Sequence, residues 1–224
     1  MKNKEDDEMA NKLINPDGKY IKRNYELSEV RVEENGNTIT GHAAVYGQMT
    51  RIGDWFYEII APGAFDRADL SDVAFYLNHN IDALPMARSR KSIPNSTMKV
   101  TPDVKGLGIN TSLDIENNTD SRALISAVNR QDVSGMSFSF LVGDEDWQGL
   151  DTEMPTRTIK TVAKVIEVSA VTYPAYEGTD IDARSGSLES DRAALERAQS
   201  IIINQRNQSE VETLKQKIIL KGMV

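Results

Sequence analysis

The chain has 224 residues, 39% hydrophobic and 27% charged, with a formal net charge of −8, which is room for one ordinary core plus extensions. The acidic balance argues against a general phosphate-binding surface, so no nucleic-acid partner is expected. The sequence contains no cysteine, which excludes disulfides, thiolate metal sites and cysteine nucleophiles. Its two histidines, His42 and His79, are too few for a histidine-rich metal centre.

Residues 1–23 mix Lys, Asp, Glu and Asn with little periodicity and read as a mobile polar tail. They lack the apolar stretch of a secretory signal, and no run in the chain approaches the ~18 apolar residues of a membrane span. A soluble, intracellular protein without membrane contact is the expectation. Between 24 and 184 the texture changes to short segments rich in Val, Ile, Thr, Tyr and Phe, separated by Gly, Asn, Asp and Pro. Strands are predicted over Arg31–Glu33, Thr38–Tyr46, Val73–Leu77, Thr97–Thr101, Leu107–Ile115, Gly135–Val142, Thr156–Val162 and Val165–Thr172. Asn35-Gly36 marks a hairpin between the first two, and Val104-Lys105-Gly106 marks another turn. Thr119–Asn129 reads as a helix with Ala123, Leu124, Ala127 and Val128 on one face, capped by Thr119 or Asp120. The fold class is therefore mostly β with helices, an α+β domain built as a small barrel or sandwich. Residues 185–224 hold no proline and read as two amphipathic helices. Leu188, Leu195 and Ile202 line the first, and Ser209-x-x-Glu212 caps the second, which carries Val211, Leu214 and Ile218.

Three places carry residue types suited to chemistry. The apolar run Val73–Leu77 ends in Asn78-His79-Asn80, a histidine at a strand end, where an imidazole titrating near neutrality can accept and return a proton. In Ser134-Gly-Met-Ser-Phe-Ser-Phe140, alternation puts Met136, Phe138 and Phe140 on one face and Ser137 and Ser139 on the other. A serine activated by an imidazole is a nucleophile for acyl transfer. Glu167 sits mid-strand in Val165–Thr172, where a buried carboxylate is costly unless paired. Orienting a histidine is one such pairing and an arginine ion pair is another. Each feature read singly also fits a structural role: a histidine in a polar turn, a strand with one polar face, a structural ion pair.

Five blocks in fixed order add a resemblance. Gly41-His-Ala-Ala-Val-Tyr-Gly47, Glu58-Ile-Ile-Ala-Pro-Gly-Ala-Phe65, Leu77-Asn-His-Asn80, Ser134-Gly-Met-Ser-Phe-Ser-Phe140 and Glu167-Val-Ser-Ala-Val-Thr-Tyr-Pro-Ala-Tyr176 resemble the prohead maturation proteases of tailed phages, over residues 24–184. That family looks related to the herpesvirus assemblin proteases. The resemblance implies a compact assemblin-like β-barrel surrounded by helices. It carries the base onto His79 and the nucleophile onto Ser137. Assemblins use a second histidine as third member. Here Glu167 is favoured for that role, with His42 or a nearby Asp as alternatives. Ser139 stands where phage relatives often have Gly, a departure expected to narrow the groove.

The implied function is a serine endopeptidase that cleaves the scaffolding region of the major capsid protein, and itself, during prohead maturation. It needs no metal and no cofactor. The implied location is the assembling prohead in the host cytoplasm, and a homodimer is expected by analogy. The C-terminal helices are the candidate segment for docking on capsid or scaffold. A non-enzymatic capsid scaffold is the competing class, and an esterase lacks the Gly-x-Ser-x-Gly elbow.

Overall fold

β-Branched and aromatic residues crowd the stretch 135–171, and they form the two longest strands, β10 (Gly135–Gln148) and β11 (Thr156–Val171). The pair is antiparallel from Gly135 opposite Val171 to Gln148 opposite Thr156. A computed structural model describes residues 21–26, 30–172 and 187–221. Within them, β10 and β11 are the spine of a seven-stranded sheet. On the free edge of β10 lies β1 (Ile21–Glu26), antiparallel to it. The other edge of β11 is shared: β5 (Phe56–Ile60) runs parallel to its beginning and β6 (Asp72–Leu77) parallel to its end. β4 (Thr50–Ile52) extends β5 and β7 (Ala87–Arg90) extends β6, both antiparallel. A second, four-stranded sheet has the order β2 (Arg31–Val32), β3 (Thr38–Val45), β9 (Gly106–Ser112), β8 (Met98–Pro102).

Both sheets contribute to one core. Ile39, Leu107 and Ile109 from the smaller sheet join Phe75, Phe138, Phe140 and Val168 from the larger. Helix α1 (Thr119–Asn129) adds Leu124 and Val128. Phe138 and Phe140, two residues apart on one strand face, stack with ring centroids 4.6 Å apart, and Phe65 meets Phe138 edge-on at 5.7 Å.

The mixed α+β character is as expected, but no closed barrel forms among the described residues. The larger sheet ends in β1 on one side and in β4 and β7 on the other, and no ladder joins these edges. The reason is the split partnership of β11, which turns one edge of the sheet into two short branches. Helix content differs as well. Instead of two C-terminal helices there is one, α2, Ser187–Lys221. Nothing between 187 and 221 is Pro or Gly, so no breaker ends it. Ser209 starts no new helix; its carbonyl accepts the Thr213 hydroxyl within the same one. At 35 residues α2 is roughly 52 Å long. Ser190, Asp191 and Ala194 are buried, while Ile201, Ile203, Val211 and Leu214 are exposed.

Local signals otherwise set many boundaries. α1 matches its predicted span, but its cap is Asn118, whose side-chain oxygen accepts from the N–H groups of Asp120 and Ser121. Gly36 takes φ +75 in the predicted hairpin. The segments predicted as Thr156–Val162 and Val165–Thr172 are one continuous strand, and Gly135–Val142 runs on to Gln148. The first twenty residues of the predicted tail lie outside the described residues, whereas Ile21–Arg23 belong to β1.

Gly106 is fixed by a close backbone approach at the irregular end of the β3–β9 ladder. A Cβ there would lie 1.9 Å from the Ala44 carbonyl oxygen. Gly106→Ala is expected to destabilise the domain by about 3 kcal/mol, the upper end for overpacking, read as a lower urea midpoint at unchanged slope. An unmoved midpoint would show that the two strands separate at no cost.

Candidate active site

The register of β10 against β11 sets four polar side chains in a two-by-two grid. Ser137 stands opposite Ser169, and Ser139 stands opposite Glu167. Residues directly opposite in an antiparallel pair share a face, as do residues two apart on one strand. Their strand neighbours Met136, Phe138, Phe140, Val168 and Ala170 belong to the hydrophobic core, so the grid occupies the other face. All four of its residues are buried.

β6 delivers the imidazole to this grid. It pairs with β11 so that Tyr76 lies beside Ser169 and Leu77 beside Ala170. The chain then turns sharply, with Asn78 at φ 51 and His79 at φ 56. Left-handed backbone is uncommon outside glycine, though Asn and His adopt it more readily than most residues, and two in succession are held by their surroundings. Here the Asn78 N–H donates to the Ala170 carbonyl (2.9 Å), and the Asn78 side-chain oxygen accepts from the Thr172 N–H (3.0 Å) and hydroxyl (3.2 Å). The His79 N–H donates to the Ser169 hydroxyl oxygen at 3.3 Å. Asn78 thus holds the turn.

Within this turn His79 Nδ1 lies 2.6 Å from Glu167 Oε1. The same oxygen accepts a hydrogen bond from Ser139, and Glu167 Oε2 accepts one from Ser169 at 2.6 Å. Burial pushes the Glu167 carboxyl up. The hydrogen bond and charge of His79, with the two hydroxyls, outweigh that and hold it below its ordinary value. Glu167 is therefore ionised at neutral pH and can only accept. It follows that His79 Nδ1 donates in this bond. The His79 side chain is 14% exposed against 3% for Glu167, so the imidazole is the member of the pair that an incoming molecule meets.

Ser137 has a different partner. Its hydroxyl donates to the main-chain carbonyl of Arg23 on β1 at 2.8 Å, and the residue is wholly buried. None of the hydrogen bonds made by Ser137, Ser139 or Ser169 ends on the imidazole ring. Ser137 is nonetheless near it by register, because the Cβ of Ser169, which stands opposite, is about 5 Å away and the Ser169 hydroxyl touches the His79 main chain. The structure thus brings His79 and Glu167 into contact and sets Ser137 one strand away from Ser169.

His42, the alternative third member, lies elsewhere. It is on β3 in the smaller sheet, and its Nε2 is 2.9 Å from Asp103 Oδ2. The roles of Ser139 and Ser169 as partners of Glu167 were not evident from the sequence. The signal was present for Ser169, since a two-residue step along a strand returns to the same face.

Arg23 is itself part of a buried ionic cluster. Its guanidinium holds Glu58 at 2.5 and 2.8 Å and Asp191 at 2.8 and 3.0 Å. Arg157 reaches Glu58 at 3.2 Å, Asp191 at 3.3 Å and Glu145 at 2.7 Å. The cluster links β1, β5, β10, β11 and the start of α2.

No curated protein and no solved structure matches the chain significantly. A family model does: the one described as caudovirus prohead serine protease matches residues 23–193. That span runs from β1 to the buried first turns of α2 and takes in Arg23, His79, Ser137, Glu167 and Asp191. The chain belongs to the caudovirus prohead serine protease family.

Proposed function

We propose that the chain is a serine endopeptidase with Ser137 as nucleophile, His79 as general base and Glu167 as the acid that orients the imidazole. Its substrates are the scaffolding region of the phage capsid protein and the protease chain itself. It works inside the assembling prohead in the host cytoplasm, as a homodimer, and the exposed length of α2 is the candidate contact to capsid or scaffold. The observation that carries this reading is the His79–Glu167 hydrogen bond, on the sheet face to which Ser137 also belongs.

The chemistry follows from those groups. The Ser137 hydroxyl turns about χ1 from the Arg23 carbonyl towards His79 Nε2. Its oxygen bonds to the peptide carbonyl carbon as its proton passes to Nε2. The resulting imidazolium is stabilised through Nδ1–H by the Glu167 carboxylate. Collapse of the tetrahedral intermediate breaks the C–N bond, and the proton on Nε2 leaves with the amine. Water then adds to the acyl-enzyme by the same relay and restores the serine.

Co-expression with the capsid protein tests the reading. The wild-type chain is expected to process it and His79→Ala is expected not to. Equal processing by the two removes His79 from the mechanism, and no processing by the wild type favours a non-enzymatic assembly role. Glu167→Gln is expected to lower kcat roughly 10²–10⁴-fold. The amide offers an N–H where Nδ1 needs an acceptor and so favours the wrong tautomer. Full activity in that variant would move the acid to another residue.

A further inference from the structure

Glu167 is a carboxylate almost out of contact with water, with 2% of its surface exposed, and such a group normally takes up a proton. Three donors counter that: His79 Nδ1 and the Ser139 hydroxyl on Oε1, and the Ser169 hydroxyl on Oε2. The two serines reach it from different strands. Ser139 is the cross-strand partner of Glu167, and Ser169 is two residues along β11. A bond on each oxygen fixes the plane of the carboxylate, and therefore the direction from which Oε1 meets the imidazole.

Ser169 does a second thing. Its hydroxyl proton is committed to Glu167 Oε2, which leaves a lone pair to receive the His79 N–H at 3.3 Å. One side chain thus joins the acid to the backbone of the residue that carries the base, at a φ of 56. Ser139 has no such main-chain task. Among the described residues its one side-chain hydrogen bond goes to Glu167.

From this geometry we propose that Ser139 and Ser169 are positioning residues for the His79–Glu167 pair. They aim the carboxylate at Nδ1, and by sharing its charge they keep it ionised at the pH where the pair works. The proposal rests on the reading of His79 as base, but its principal test uses no turnover. With only two histidines in the chain, the ring signals of the full-length protein labelled with ¹⁵N-histidine are few enough to assign. The Nδ1–H resonance of His79 bonded to Glu167 can then be followed as the pH is lowered.

Removing a hydroxyl from a carboxylate raises the pH at which it takes a proton. Ser139→Ala and Ser169→Ala are each expected to shift loss of that resonance to higher pH by about half a unit, and the double variant by more. The acid limb of the pH–activity profile is expected to move with it, and kcat to fall about tenfold per hydroxyl with KM unchanged. Ser169→Thr, which keeps the hydroxyl on a β-branched side chain suited to a strand, is expected to restore the wild-type curve. Superimposable curves for folded alanine variants and wild type overturn the proposal. So does a Ser169→Thr curve displaced as far as that of Ser169→Ala, because packing alone would then explain the effect. Should one alanine variant not fold, the titration of the other still decides between these outcomes. A failure of Ser137 as nucleophile appears only in the cleavage assay and leaves the titration intact.

Discussion

Ser137→Ala is expected to leave co-expressed capsid protein uncut, with kcat lower by roughly 10⁴-fold or more, while the chain folds nearly as before. The two halves of that expectation have separate grounds. The catalytic loss follows because the nucleophilic oxygen is gone, and neither other hydroxyl on that face is free to replace it. Ser139 and Ser169 both donate to Glu167, so recruiting either would strip the carboxylate that orients His79. The small structural effect follows from the one side-chain bond that Ser137 makes among the described residues. Losing its hydrogen bond to the Arg23 carbonyl costs about 0.5–1.5 kcal/mol net, and β1 stays paired to β10 through the main chain. Processing at wild-type rate in this variant would falsify the nucleophile assignment. Urea denaturation of the same protein separates lost chemistry from lost fold.

The largest stability effect is expected at Arg157. This side chain is wholly buried and lies between Glu58, Asp191 and Glu145. Among the described residues three carboxylates face the two guanidiniums of Arg23 and Arg157, with no further cation in the cluster. In Arg157→Ala, Glu58 and Asp191 are left to share Arg23, and breaking a buried ionic group in this way costs about 3–5 kcal/mol. The variant is expected to show a correspondingly lower urea midpoint at pH 7, and a loss under 1 kcal/mol would show that water fills the space and solvates the carboxylates. The contact of Arg157 with the Trp147 ring, 5.7 Å from its centroid, adds a smaller term to the loss.

Acid acts on this cluster in two opposing ways. Burial pushes Glu58 up, but Arg23 and Arg157 more than reverse that and hold it below its ordinary value. Its contribution to stability is therefore present above the unfolded carboxylate range and is lost as pH falls through the lowered folded value. Asp191 moves the other way, raised chiefly by burial and further by the charge of Glu58 against the attraction of Arg23. Its protonation on mild acidification favours the folded state.

Residue order alone determined the local pieces. The helix over Thr119–Asn129, the Asn35-Gly36 hairpin and most of the strand segments follow from periodicity and turn chemistry acting over a few residues. Alternation also assigned Ser137 and Ser139 to one face of their strand, opposite the phenylalanines. What local pattern missed was structure made by distant partners. Ile21-Lys-Arg-Asn-Tyr-Glu26 reads as a polar stretch, yet it is a strand because β10 offers it an open edge and because Arg23 finds Asp191, 168 residues away. In the same way the closed barrel gave way to open sheets, since only the assembled molecule shows β11 dividing one edge between β5 and β6. For the site, the sequence by itself determined the chemical types and their order, a histidine at a strand end, a serine strand, and an acid inside an apolar strand. Tertiary structure alone decided the register that sets Ser139 against Glu167 and turns His79 onto it, and that commits the Ser137 hydroxyl to the carbonyl of Arg23. Hydrogen bonds reach only about 3 Å, and which groups come that close is fixed by strand pairing between segments whose sequences carry no mark of each other.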